Sequence, residues 1–526
     1  MWIAIKTGMV FCCLALIVAV TAAADVNIRA TLSKSPAVGE NALQIAITDA
    51  KEAVIADAIV TLSVAMTSMD MGTSHPKVTN QGDGTYSATA SFDMAGPWRV
   101  DVRVEAPGHK IQTKGFDFQP APAGSSDTSG MSAMMGKLGP WSMQREGSGT
   151  SWLPESSPMF MKMLPKTGRY DLDAMGFITF NENKAGGKRG DSRFFSNSML
   201  MLMSRRETGG GTLGLSLMVS ADPIFNGEYG YPDLFQTGET AYGKKLTDYQ
   251  HPHDLVAEAT ASYSHPIGDG LRAFLYAGPV GEPALGGPTF MHRPSGSEIP
   301  EAPISHHWFD STHIAWGVVT AGLNTEKWQF EASAFNGHEP NENRYLPDPI
   351  RLNSASTRIT FNPTRDLSFN ASYGFLDSPE STAPGIDQHR LTAAAIWSRP
   401  LPQGDNLSMT AAFGRNIIQG TTSDAFLAEA TYLTGPTSIF ARWEHVDKDE
   451  LVGVPPGGYI INKFIVGGAR NIAHRDGVDV GIGAYAGFYI FPSSLEPFYG
   501  RSPVTLGVFV RLRPGRMRHE MTSMSH

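Results

Sequence analysis

From residue 170 onward the chain consists almost entirely of segments about ten to fourteen residues long whose side chains alternate between apolar and polar or small. Sixteen such segments can be marked: 170–182, 193–206, 211–221, 254–264, 270–280, 311–324, 326–337, 354–363, 366–377, 388–399, 405–417, 423–434, 436–448, 461–472, 477–489 and 503–513. In 478–488, Val478, Val480, Ile482, Ala484, Ala486 and Phe488 share one face, and Asp479, Gly481, Gly483, Tyr485 and Gly487 share the other. A period of two belongs to a β-strand, and a tilted strand crosses a bilayer in about 9–11 residues. The connections alternate as well. Those at 207–210, 265–269, 325, 364–365, 400–404, 435 and 473–476 are tight, whereas 183–192, 222–253, 281–310, 338–353, 378–387, 449–460 and 490–502 are long; 418–422 is the one exception. Short turns at one end and long loops at the other are what an outer-membrane barrel shows. The chain is therefore expected to be all-β and dominated by a large, about 16-stranded antiparallel transmembrane β-barrel over 136–515. Its principal partner would be the outer-membrane lipid bilayer.

The start of the chain fits that address. Lys6, an apolar core over 9–20 and the small residues of 21–24 read as a signal peptide over 1–24. Both cysteines, Cys12 and Cys13, lie inside it, so an exported chain has no thiolate and a soft-metal site must use Met and His. The formal charge of −9 becomes −10 once Lys6 is lost, which argues against nucleic acid as a partner.

Residues 25–118 are patterned on a smaller scale, as about seven short strands, and read as an immunoglobulin-like β-sandwich. In 98–104, Val100, Val102 and Val104 face one way and Arg99, Asp101 and Arg103 the other. A Pro/Gly/Ser-rich stretch, 119–135, reads as a flexible linker. The run Gly82-Asp83-Gly84-Thr85-Tyr86, followed by Met94-Ala95-Gly96-Pro97-Trp98 and the alternating valines, resembles the YtkA-like (FixH-like) domain family. That resemblance implies a small periplasmic sandwich associated with copper handling or cytochrome oxidase assembly, with a methionine-rich loop ahead of the G-x-G-x-Y turn.

The segment 66–75 (MTSMDMGTSH) occupies that place. Met66, Met69 and Met71 offer thioethers and His75 an imidazole, with Met94 able to approach from a neighbouring strand end; such donors suit Cu(I) or Ag(I). Packing is the competing reading for Met66 and Met94, because methionine fills core gaps readily. A second group, His251-Pro252-His253-Asp254 with His292, His306, His307 and His338, falls in or beside long loops and offers imidazole and carboxylate to Zn(II) or Cu(II). Seven methionines lie between 131 and 163, and the 516–526 tail carries His519, Met521 and His526. Mid-strand Arg272, Arg358, Arg415, Arg442 and Arg470, with Glu258, Glu331, Glu429 and Glu444, are expected to face inward. Aromatics such as Trp316, Trp328, Tyr373, Trp443 and Tyr489 are candidates for interface girdles.

No nucleophile elbow, phosphate loop or paired-histidine zinc helix is present, so the chain does not read as an enzyme. The expected function is soft-metal (copper or silver) binding, efflux or resistance at the outer membrane. In that arrangement the sandwich and the tail face the periplasm and its metal-handling proteins. The alternative is a general porin-like channel or an envelope anchor with no metal role.

Overall fold

The computed structural model describes residues 26–32, 36, 38–49, 53–67, 72–94, 96–107, 109–118 and 135–517. The signal peptide, nearly all of the linker, Met69, Met71, His519, Met521 and His526 lie outside them. The chain divides into two compact units near residue 125.

The first unit is a sandwich of two four-stranded sheets. One orders Val26–Leu32, Gly39–Asp49, Thr85–Phe92 and Thr79–Asn80; the other orders Thr73–Ser74, Ile59–Met66, Trp98–Glu105 and Gln112–Phe118. Alternate residues face inward: Leu43, Ile45 and Ile47 from one sheet meet Leu62, Val64, Val100 and Val102 from the other, all essentially shielded from water. Trp98 lies against Phe92, ring centroids 5.5 Å apart, and its Nε1 donates to the carbonyl of Met94 at 2.9 Å.

The second unit is a closed antiparallel barrel of sixteen strands among the described residues. The wall runs from Tyr170–Ala185 to Val504–Pro514, which close on each other through the pairs Ile178↔Leu512 to Ala185↔Thr505. Its second strand is interrupted, as Ser192–Phe195 and Ser198–Thr208 both pair with Tyr170–Ala185. A further strand, Met161–Thr167, wedges into the closing seam and pairs with the first half of Tyr170–Ala185. Every wall strand overlaps a segment anticipated from alternation. Long and short connections also alternate around the barrel, with the two-residue turn Gln419–Gly420 as the exception.

Large apolar side chains cover the outer face, among them Leu202, Leu217, Leu275, Phe330, Phe369, Phe426, Ile439, Val466, Ile482 and Val508. Such a wall is stable only in hydrocarbon, where closure satisfies every backbone group. No helix among the described residues is long and apolar enough to cross a membrane; the crossing element is the strand.

Two girdle assignments are corrected: Trp316 and Tyr489 are buried, and Trp316 donates to Asp254 at 2.7 Å. Arg415 and Arg470 do not face inward. They fall on the outward phase of their strands near the barrel ends, where a long cation reaches the headgroup layer. Arg415 pairs there with Asp424 at 2.7 Å.

Inward-folded segments fill much of the lumen, leaving a pocket of about 800 Å³ at the short-turn end beside Phe160, Ser438, Arg511 and Arg513. Residues 135–160 are not wall but a strap inside it. Arg145 donates to the carbonyl of Glu326 (2.6 Å), the carbonyl of Leu153 accepts from Asn362 (2.9 Å), and Ser156 reaches the carbonyls of Arg365 (3.0 Å) and Ser398 (2.5 Å). From the opposite end, loops 220–255 and 282–314 fold inward onto charged wall residues. Arg293 meets Glu429 (2.7 Å), Glu298 meets Arg511 and Arg513, and Lys463 holds Asp233 and Glu301.

Candidate metal centre in the barrel lumen

The two inward loops bring five buried histidines together among the described residues. Loop 220–255 supplies His251 and His253 just beyond the two-residue ladder Tyr231–Pro232/Tyr249–Gln250. Loop 282–314 supplies His306 and His307 from the one-turn helix His306–Phe309, and His313 from the turn Ser311–His313. Ring centroids are 6.0 Å apart for His251 and His307, 5.4 Å for His306 and His307, 5.2 Å for His306 and His313, and 5.1 Å for His253 and His313.

Four of these rings are anchored through Nδ1. His251 donates to the carbonyl of Pro252 (3.2 Å), His253 to Asp222 Oδ2 (2.7 Å), His306 to Asp310 Oδ1 (2.5 Å) and His313 to the carbonyl of Asp310 (2.7 Å), while His307 Nδ1 lies 3.2 Å from Glu339 Oε1 without a hydrogen bond. Holding the proton on Nδ1 leaves Nε2 as a lone pair. The Nε2 atoms of His253, His306, His307 and His313 are buried and have no hydrogen-bond partner. Buried polar atoms are ordinarily paired, and a ring nitrogen held by carboxylate or carbonyl while the other points free is how protein imidazoles are prepared for a metal.

Glu239, His251 and His307 form the tightest set, with one donor atom from each within 4.8 Å of the others and all three buried. His251 Nε2 lies 2.9 Å from Glu239 Oε1 without the alignment of a hydrogen bond. Gly238 makes this approach possible: its φ is +103°, and a Cβ there would fall 2.3 Å from the His307 ring. Arg344 donates to the other Glu239 oxygen at 3.2 Å. Two imidazoles and a carboxylate match Zn(II) or Cu(II), with a coordination position left for a further ligand.

Electrostatics keep the set in its ligating form. Burial pushes His251 and His307 down to about 4, and lowers His306 and His313 as well. Burial opposes ionisation of Glu239, but His251 and Arg344 outweigh it and hold the carboxyl below its usual range. His251, His306, His307 and His313 therefore hold a proton less readily when folded than when the loops are released. Between about pH 6.5 and 4 the released histidines bind more protons, so their contribution to closure is full above 6.5 and weakens as pH falls towards 4. Bilayer conductance of the purified chain is expected to be low at pH 7 and to rise on acidification through that window. A flat profile would contradict this electrostatic account.

The anticipated residues are distributed differently from their order in sequence. His251 and His253 flank Pro252 and enter the same group, their ring centroids 6.3 Å apart; His251 lies beside Glu239, His306 and His307, and His253 beside His313. Asp254 is committed elsewhere, accepting from Trp316 and from Arg344 (3.3 Å), so neither oxygen is free for a metal. His338 lies in another loop, half-buried, and His292 lies with a methionine group described below. Glu239 and His313, which had no spacing signal beyond their loops, were not anticipated. In the sandwich, Met66 is only 4 % exposed and sits opposite Trp98 in the core rather than in the loop. Met94 is half-buried, and His75 is exposed with Nδ1 3.0 Å from the carbonyl of Leu62.

Comparison with known proteins separates the same two parts. Residues 21–103 match the YtkA-like family. No curated protein matches the chain significantly. Solved structures similar to the barrel include OprB of Pseudomonas putida (10 % identity, 65 % of this chain and 94 % of that one, TM-score 0.44). Salmonella typhi OmpF in complex with daunomycin is similar over 66 % of this chain and 98 % of its own, at 10 % identity and a TM-score of 0.42. An anion-selective porin from Comamonas acidovorans is similar over 65 % and 99 %, at 12 % identity and a TM-score of 0.40. The chain is thus a fusion of a YtkA-like domain with a closed, sixteen-stranded β-barrel of outer-membrane type.

Proposed function

We propose that this chain is an outer-membrane metal-handling protein whose barrel holds a copper-class ion, Cu(II) or Zn(II), at the luminal centre of Glu239, His251 and His307. The observation that carries this reading is the convergence of Glu239, His251 and His307, all buried, with one donor atom of each within 4.8 Å of the others. The even strand count leaves both ends of the wall at the short-turn end, which in outer-membrane barrels is periplasmic. The YtkA-like domain and the 516–526 tail then face the periplasm, where Met69, Met71 and His75 offer Cu(I) or Ag(I) a capture point and metal-handling proteins a docking partner.

The test is titration of the full-length protein in detergent with Cu(II) and with Zn(II). Wild type is expected to bind one ion at micromolar concentration or below, and His251→Ala/His307→Ala to weaken that binding by roughly 100-fold or more. Equal binding by wild type and variant, or none by either, would remove the metal from this centre and leave a plugged barrel.

A further inference from the structure

Between the strap and the wall lies a cavity of about 100 Å³ with methionine prominent in its lining. Eight methionines border it: Met199, Met201 and Met203 from one wall strand, Met175 from the next, Met291 from loop 282–314, and three from the strap and the wedge strand. The luminal face of an outer-membrane barrel is ordinarily polar. Here the strand reads Met199-Leu200-Met201-Leu202-Met203, with the leucines exposed on the outer face and the methionines inside. Methionine also fills irregular gaps, but the division of leucine to lipid and methionine to lumen over consecutive positions sets a row of thioethers facing inward.

Strand register turns these residues into a row. Met161 is paired with Met175, Met175 with Met201, and Met201 with Met218, across four adjacent strands. Directly opposed side chains in a sheet stand about 4.5–5.5 Å apart, so neighbouring sulfurs can converge on one ion with small rotamer changes. Gly176 permits the close approach at this seam: a Cβ there would lie 2.0 Å from the carbonyl oxygen of Met199. His292 lines the same cavity, and its Nε2 is buried without a hydrogen-bond partner. A smaller cavity bordered by Met218, Met291, His292 and His313 continues from the row to the histidine group.

We propose that the row Met161–Met175–Met201–Met218, covered by Met291 and His292, is a binding site for a monovalent soft cation, Cu(I) or Ag(I), separate from the histidine centre and adjoining it. Thioethers favour such ions over Zn(II), and two or three from adjacent strands of the row meet the low coordination number that these ions accept. Charged groups of both signs, Glu146 with Lys137, Arg511 and Arg513, also border the cavity. The proposal extends the metal-handling reading but does not require the histidine centre to be occupied. Together the two sites would form a graded series of donors, sulfur near the short-turn end and imidazole towards the long loops.

Silver is the clean probe because it has no competing oxidation state under these conditions. Full-length protein is titrated with Ag(I) and compared with Met175→Leu/Met201→Leu/Met218→Leu and with the single Met201→Leu. Leucine keeps volume and apolarity, so packing is retained. The triple variant is expected to lose one equivalent of Ag(I) relative to wild type while retaining Cu(II) binding at the histidine centre. The single variant is expected to weaken that equivalent about tenfold or more. His251→Ala/His307→Ala should show the converse, losing Cu(II) and retaining Ag(I). Identical Ag(I) stoichiometry and affinity in wild type, single and triple variants would overturn the proposal, whatever the histidine variants do.

Discussion

Replacing residues 287–312 by a short Gly/Ser linker is expected to turn a barrel with little conductance into a steadily conducting one. Sixteen strands enclose a lumen wide enough for an aqueous channel when nothing fills it. In this chain loop 282–314 crosses that lumen from wall to wall. Near its start Gly286 accepts from Arg358 (3.1 Å); further on Ser305 donates to Glu444 (2.7 Å), and Glu298 ends on Arg511 and Arg513. Excision removes the partners of wall groups that still line an aqueous space, so the wall keeps its closure while the space opens. The same variant loses His306 and His307 and should lose Cu(II) binding with them. Planar-bilayer recording reads the first effect and metal titration the second. A variant that folds, shown by heat-modifiable migration, yet conducts no better than wild type would mean that the strap alone closes the barrel.

The second large effect is expected at Lys463. Its ammonium sits between Asp233 of one inward loop and Glu301 of the other, 3.0 Å from Glu301 Oε2, and all three side chains are fully buried. One wall residue therefore ties both loops to the barrel. Lys463→Met leaves two carboxylates facing each other without a cation, and breaking a buried pair from one side costs about 3–5 kcal/mol. Burial and Glu301 already push Asp233 up to about 7 even with Lys463 in place. Without the lysine, closure at neutral pH requires protonating a carboxyl, so the variant should be more open at pH 7 than at pH 5. That is opposite in sign to the histidine effect in wild type. Limited proteolysis of the two loops and conductance at both pH values measure it. Arg415→Met removes a cation from an exposed pair on the outer face that holds neither loop, and is expected to change neither reading. Equal loop protection in the Lys463 and Arg415 variants would show that the clamp is not what holds the plug.

The wall was legible in the residues because one physical rule acts at every position. A strand between lipid and lumen must alternate, and the chain must return by turns that are short on one side of the membrane and free to lengthen on the other. Register within 478–488 follows from that rule alone, and the tight turn at 419–420 is its one exception. The sandwich was legible for the same reason on a shorter scale. Where the rule met a charged residue near a strand end it misled, as at Arg415 and Arg470, because a long cation can face outward and reach the headgroups.

The chemistry of the lumen obeyed no such period. The histidine pair at 251 and 253 announced itself, but Glu239 precedes it by twelve residues, and His306, His307 and His313 lie on a different loop. Two loops must fold into one barrel before these side chains meet. The methionine row is the sharper case. Met161, Met175, Met201 and Met218 have no common spacing, and only the hydrogen-bond register of four strands sets them side by side. By itself the sequence determined the alternation, the topology and the exclusion of thiolate from any metal site. The tertiary structure decided which Met and His side chains share a cavity, because donor geometry depends on distances across strands and between loops that no linear pattern encodes.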